Sequence, residues 1–166
     1  IIEKLARIPC EVDLASEFRY RNPIINKNDI CLVISQSGET ADTLAALREA
    51  KSKGARTISI VNVIASTIAR ESDDVIYTMA GPEIAVATTK AFSAQLCVSY
   101  LLALKFAKAK SLLSECDEEK YCAEILRLPE LIEGILKTDS ALKELAKSYA
   151  DSENVFFIGR GLDYAI

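Results

Sequence analysis

Two short, almost unbroken apolar runs, Ile30-Cys31-Leu32-Val33-Ile34 and Thr57-Ile58-Ser59-Ile60-Val61, flank a segment of helical period. Runs this short and this oily suit strands covered on both faces, the position that parallel strands occupy in α/β sheets. Between them, residues 39–53 set Ala41, Leu44, Ala45, Leu47 and Ala50 on one side of a helix, with Asp42, Arg48, Glu49 and Lys51 on the other and a stop at Gly54. Strand, amphipathic helix and strand in that order predict a right-handed βαβ unit within an open, doubly wound sheet. Strands are expected at 11–15, 30–34, 56–61, 75–78 and 155–158.

Residues 91–104 carry no charge and spread Phe92, Leu96, Cys97, Tyr100, Leu101, Leu102 and Leu104 around a helix, so burial on nearly every side is expected. The stretch is shorter than the roughly 20 residues a bilayer span needs, and Ser93, Gln95 and Ser99 interrupt it. A core or subunit-interface helix is favoured over a membrane span. Residues 118–149 read as two or three amphipathic helices, one started by Pro129 and another capped by Asp139 or Ser140. The opening residues 1–8 are helix-like, without a starting methionine, a cap or a signal-peptide layout, and the chain stops just after the run at 155–158. Both ends read as cuts in a longer polypeptide.

Half of the 166 residues are hydrophobic, enough for one domain with its own core. The formal net charge is −4 and the charges are dispersed, which argues against a nucleic-acid surface or an acidic tail and for a small ligand. Five cysteines form no Cys-x-x-Cys pair and histidine is absent, so the usual zinc spacings are missing and no metal is expected. The cysteines read as reduced cytosolic thiols filling small apolar gaps.

The chemistry-bearing stretch follows the first apolar run: Ser35-Gln36-Ser37-Gly38-Glu39-Thr40. A strand end, a tight glycine turn and a helix start gather free backbone N–H groups at the positive end of the helix dipole. The hydroxyls of Ser35, Ser37 and Thr40 and the amide of Gln36 could wrap a phosphate there, although the turn itself holds no lysine or arginine. Open α/β sheets bind their ligands at such strand ends. Ser37 could equally cap the helix while the other groups satisfy the turn, and spacing alone leaves both readings open. A second strand end meets a helix start between Gly81-Pro82 and Thr88-Thr89-Lys90, where either threonine is also a candidate cap. There is no Gly-x-x-x-x-Gly-Lys phosphate loop, and Gly159-Arg160-Gly161 is only half of a dinucleotide fingerprint.

Taken together, "SEFRYR", "SQSGETADTL", "GPEIAVATTKAF" and "GRG", in this order, resemble the sugar isomerase (SIS) domains of the glucosamine-6-phosphate synthases, the glutamine:fructose-6-phosphate aminotransferases. The resemblance covers essentially the whole chain. It implies a flavodoxin-like α/β domain, helices on both faces of a mostly parallel sheet, followed by a helical tail and binding fructose 6-phosphate or glucosamine 6-phosphate. It implies that Ser35, Gln36, Ser37 and Thr40 hold the phosphate, and that the backbone of Val86 and the hydroxyl of Thr88 touch the sugar. The family usually has serine where Thr88 stands; threonine keeps the hydroxyl and adds a methyl.

The same resemblance divides the chain into a first SIS subdomain lacking its initial strand (1–112), a helical linker (113–152) and the truncated opening strand of a second subdomain (153–166). The family's Cys-Gly-Thr-Ser turn, the glutamate, lysine and histidine of ring opening and proton transfer, the Schiff-base lysine and the glutaminase cysteine have no counterpart here. The chain is therefore expected to hold the phosphate end of a substrate without catalysing the reaction, and no cofactor is implied. Cys10, Glu39 and Glu83 receive no catalytic role. Expected partners are the missing glutaminase and second SIS domains and a second copy in a homodimer, in the cytoplasm, with no membrane or nucleic acid. A missing interior strand would leave a sheet edge that 155–158 or a neighbouring copy could cover. A stand-alone sugar-phosphate isomerase or deglycase, and the sugar-phosphate sensor of a transcription regulator, are the alternative readings.

Overall fold

The strands of the computed structural model, which describes residues 1–84 and 88–161, all lie in the first of two units, Ile1–Glu119 and Lys120–Ile166. In the first unit, α1 (Ile2–Ala6) and α2 (Ala15–Phe18) precede β1 (Ile30–Ser35), α3 (Ala41–Ser52), β2 (Arg56–Val61), α4 (Thr67–Glu71), β3 (Asp74–Tyr77) and α5 (Lys90–Ala109). The sheet order is β1-β2-β3, with both pairings parallel. Ser35 is in register with Val61, and Val61 with Tyr77. All three strands therefore end on one line, and Gln36, Asn62 and Thr78 leave the sheet side by side.

The apolar runs form strands because both faces of the middle one are covered: Thr57, Ser59, Ile60 and Val61 of β2 are buried. Val33 of β1, Leu47 of α3, Val61 of β2 and Ile68 and Ala69 of α4 make one cluster, flanked by Cys31, Leu44, Val75 and Tyr77. Full burial of side chains such as Leu47 or Ile68 stabilises the fold by about 1.5–3 kcal/mol each. Helix α3 stops where predicted. Gly54 takes φ 87°, its N–H donates to the Lys51 carbonyl and the Ala55 N–H to the Ala50 carbonyl, which closes the last turn in a left-handed exit.

Five expectations are corrected. Residues 11–15 form no strand: the run joins neither open edge of the three-stranded sheet, Val12 is 93% exposed, and Ala15 opens α2 instead. Helix α5 is not buried all round. Its small side chains Ala91, Ala103 and Ala107, with Leu104, are buried, and the helix packs on α1, while Phe92, Tyr100 and Leu101 are exposed. Pro129 starts no helix but lies inside α6 (Glu115–Leu136), and Thr138, rather than Asp139 or Ser140, occupies the N-cap of α7 (Asp139–Lys147). Residues 155–158 are exposed and make no strand, since the described residues of the second unit offer no strand to pair with. No helix among the described residues is long and apolar enough to cross a membrane.

Candidate functional site at the carboxyl edge of the sheet

The turn from Ser35 to Thr40 lies at the end of β1, between the strand and the first turn of α3. Gly38 has φ 67°, a left-handed conformation, and its Cα faces the side chain of Ser66: a Cβ there would lie 2.0 Å from Ser66 Oγ. Only glycine lets the turn come this close to the loop beneath it. That loop and the start of α4 hold the turn at three further points. The Asn62 N–H donates to the Gln36 carbonyl at 3.1 Å, the Ile68 N–H to the Gly38 carbonyl at 3.0 Å, and the Thr67 N–H to Glu39 Oε1 at 2.7 Å.

Within the turn, the hydroxyl oxygens act as acceptors. Ser35 Oγ accepts the Gly38 N–H at 3.0 Å and lies 3.2 Å from Thr40 Oγ1; Ser37 Oγ accepts the Glu39 N–H at 3.2 Å. A serine oxygen that accepts still has its own proton to give. Ser37 therefore keeps a donor for a ligand, and the Ser35–Thr40 pair keeps one between them. Thr40 stands at the N-cap of α3 in extended conformation without a side-chain cap bond. The N–H groups of Ala41, Asp42 and Thr43 consequently have no partner among the described residues, and they point out of the positive end of a 12-residue helix. Of the two sequence readings, capping by Ser37 is not what the structure shows: Ser37 ties Glu39, ahead of the helix.

Accessibility divides the predicted residues. Ser35 is 7% exposed and braces the turn from inside, Gln36 and Ser37 are half-buried, and Thr40 is exposed. Thr88 is exposed, two positions ahead of α5, and no hydrogen bond among the described residues joins it to the turn. Thr89 rather than Thr88 takes the N-cap of α5, without a cap bond. Val86 lies outside the described residues.

Three residues that sequence reasoning missed frame the site. Asn62 joins two strand ends: its Oδ1 accepts from Thr78 Oγ1 at 3.0 Å and from the Ala80 N–H at 2.9 Å, while Nδ2 donates to the Gly81 carbonyl at 2.7 Å. Ser66 is 3% exposed, and its hydroxyl has no partner among the described residues. Arg19, which follows α2, donates from Nη1 to Asp42 Oδ1 at 2.7 Å, bringing a guanidinium to the first turn of α3 from 23 positions away. The "SEFRYR" motif contained that arginine, but only the topology reveals where it goes.

The acidic residues beside the turn are committed elsewhere. Glu39 accepts the Thr67 N–H at the start of α4, and this bond, supported by the Thr67 side chain and by Arg70, holds its carboxyl below the usual range. It is spent on capping a helix, which leaves it poorly placed to move a proton. Among the described residues, no group of three or more His, Cys, Asp or Glu side chains could hold a metal ion.

The SIS domain family model matches residues 1–105, the stretch that contains the uncapped helix start, the hydroxyl-lined turn and all three parallel strands. The chain belongs to the SIS domain family. Its sequence is 59% identical to the isomerizing glutamine–fructose-6-phosphate aminotransferase of Clostridium tetani and 52% identical to that of Caldanaerobacter subterraneus subsp. tengcongensis, over 99% and 100% of the chain. It spans 27% of the length of each of these curated relatives. The solved C-terminal domain of the glucosamine-fructose-6-phosphate aminotransferase of Francisella tularensis superposes with a TM-score of 0.94 at 42% identity, covering 98% of this chain and 46% of that one. The glucosamine-6-phosphate deaminase of Thermotoga maritima is more distant, with a TM-score of 0.66 at 26% identity over 80% of this chain and 39% of its own. SIS membership agrees with the α/β architecture expected from the sequence.

Proposed function

We propose that this chain is the sugar-phosphate-binding SIS subdomain of an isomerising glutamine:fructose-6-phosphate aminotransferase, and that the 35–40 turn holds the phosphate of fructose 6-phosphate or glucosamine 6-phosphate. The observation that carries the reading is the uncapped start of α3, where the N–H groups of Ala41, Asp42 and Thr43 have no partner among the described residues and the adjoining hydroxyls of Ser37 and of the Ser35–Thr40 pair each keep a proton to donate. A dianion collects all of these donors at once. Gln36 adds an amide, and Val86 and Thr88 touch the sugar. The close relationship to curated aminotransferases supports this assignment over a stand-alone isomerase or a regulator's sensor domain.

In that enzyme, glutamine yields ammonia in one part of the polypeptide, and the isomerase part opens the ketose, takes nitrogen at C2 and moves a proton to give the aldose. This chain supplies the grip on the phosphate, and other parts of the enzyme supply the acid–base groups. Residues 1–112 form the first subdomain, 113–152 the linker and 153–166 the start of a second subdomain; the assembly is a cytoplasmic homodimer.

The test is a titration with glucosamine 6-phosphate and with glucosamine, following the backbone amides of residues 36–43. The phosphorylated sugar should shift these amides and the unphosphorylated sugar should not; equal responses overturn the reading. Ser37→Ala removes one hydrogen bond to a charged acceptor and should weaken phosphate-ester binding about tenfold.

A further inference from the structure

Two carboxylates stand next to the open N–H groups of α3, and each is held by a donor from another element. Glu39 is bonded to the Thr67 N–H, and Asp42, in the first turn of the helix, is bonded to Arg19. An aspartate at this position stabilises the helix by lying against its positive end, and for the same reason it competes with any anion that would bind there. A bare Asp42 would repel a dianion. The Arg19 guanidinium answers that charge with a single N–H at 2.7 Å and lies over the Tyr20 ring, 4.8 Å from its centroid; among the described residues its other four N–H donors make no hydrogen bond. The ion pair is partly open to solvent, with side-chain exposures of 33% for Arg19 and 47% for Asp42.

We infer that Arg19 is a specificity-determining residue of the phosphate site: paired with Asp42, it cancels the carboxylate at the helix start and so selects a doubly charged phosphate ester over singly charged or neutral ligands. This rests on the phosphate reading above. The turn itself contributes only dipoles, which grip any anion of suitable shape. The repulsion of an uncompensated Asp42 grows with the charge of the ligand, so cancelling it favours the doubly charged ester most, and among the described residues Arg19 is the cation paired within the first turn of α3.

An ion pair that merely supports the fold and one that tunes an anion site respond differently to mutation. If the pair were structural, Arg19→Gln and Asp42→Asn would each lower stability, and neither would change the ratio between ligands. On the present inference the two changes act in opposite directions on binding. Arg19→Gln leaves Asp42 uncompensated and should weaken glucosamine 6-phosphate binding about tenfold, while Asp42→Asn should leave binding equal or tighter. The double variant should return to within about threefold of the parent, because the repelling charge and its neutraliser leave together. Glucose 6-sulfate, a singly charged ester of similar shape, serves as the second probe, and Arg19→Gln should weaken it less than it weakens glucose 6-phosphate.

The measurement is calorimetric or amide-shift titration of the chain and its three variants at low and at high salt, with thermal unfolding recorded for each. Opposite effects of the single changes, rescue in the double variant and a narrowed phosphate-to-sulfate ratio would support the assignment. Equal losses from both single changes, or an unaltered ratio in Arg19→Gln, would overturn it. If Arg19→Gln unfolds, Arg19→Lys, which keeps the charge, must keep the ratio, and Asp42→Asn alone must not weaken binding; failure of either is equally decisive. A parent chain that ignores glucosamine 6-phosphate refutes the phosphate reading itself, and the role of Arg19 falls with it.

Discussion

At the scale of single residues, Gly38 is the most constrained position of the site. Its φ of 67° costs an L-residue roughly 1 kcal/mol, and a Cβ would also lie 2.0 Å from Oγ and 2.5 Å from Cβ of Ser66, too near the backbone for a rotamer change to relieve. Gly38→Ala should therefore lose at least about 2 kcal/mol of unfolding free energy, measured by denaturant titration. Placing the same change in a Ser66→Gly background should recover the steric part and leave roughly 1 kcal/mol of backbone strain. A cost unchanged by Ser66→Gly would show that the contact is not what limits the position. The sequence made Gly38 legible as a tight turn, because a glycine between a strand and a helix has few other uses. It could not disclose Ser66 beneath it, since that neighbour arrives through the parallel pairing of β1 with β2. Arg19 was hidden for a related reason: a cation brought to a helix start from another element leaves no local pattern.

Among the elements, the loop after β2 does more for the site than its irregular sequence suggests. Asn62 bonds the turn through its main chain and the exit of β3 through its side chain. Asn62→Ala removes three side-chain hydrogen bonds and keeps the main-chain one, so about 2 kcal/mol of stability should go, together with hydrogen-exchange protection at the Ala80 N–H. The Gly38 amide should be unaffected, and unchanged exchange at Ala80 would contradict this account. The regular elements that the sequence revealed best, β1, α3 and β2, are those whose apolar pattern is satisfied by their immediate neighbours in the βαβ unit. The run at 11–15 has a strand's composition but no ladder, and composition cannot supply one. Helix α5 misled in another way. Its apolar residues surround the axis, yet burial falls on three alanines and Leu104 while Phe92, Tyr100 and Leu101 stay exposed. Pro129 sits in mid-helix, where its missing N–H removes one bond of α6 without ending it.

For the molecule as a whole, resistance to acid should centre on the opposite edge of the sheet from the turn. There Asp73 accepts the Thr57 N–H and Oγ1–H, both at 2.8 Å, and pairs with Lys51 at 2.9 Å. The Thr57 backbone bond, then Lys51 and the Thr57 hydroxyl, hold this carboxyl at about 2, below its ordinary 3.8. The unfolded chain thus takes up the proton first, so the contribution of Asp73 is complete above about pH 4 and fades as pH falls toward 2. Asp73→Asn should flatten the decline of melting temperature between about pH 4 and 2 while lowering it at neutral pH; an equally steep acid decline in the variant would remove Asp73 from the explanation. The two ends of the sheet thus divide their tasks, with charge locked in place at one and donors left open at the other. Because Asn62 and the start of α4 at Thr67 and Ile68 grip the turn from below, the seat proposed for an ester is already shaped before anything arrives. Capture then surrenders little chain freedom, so affinity should rise or fall with the guest's own rigidity rather than with any folding of the host.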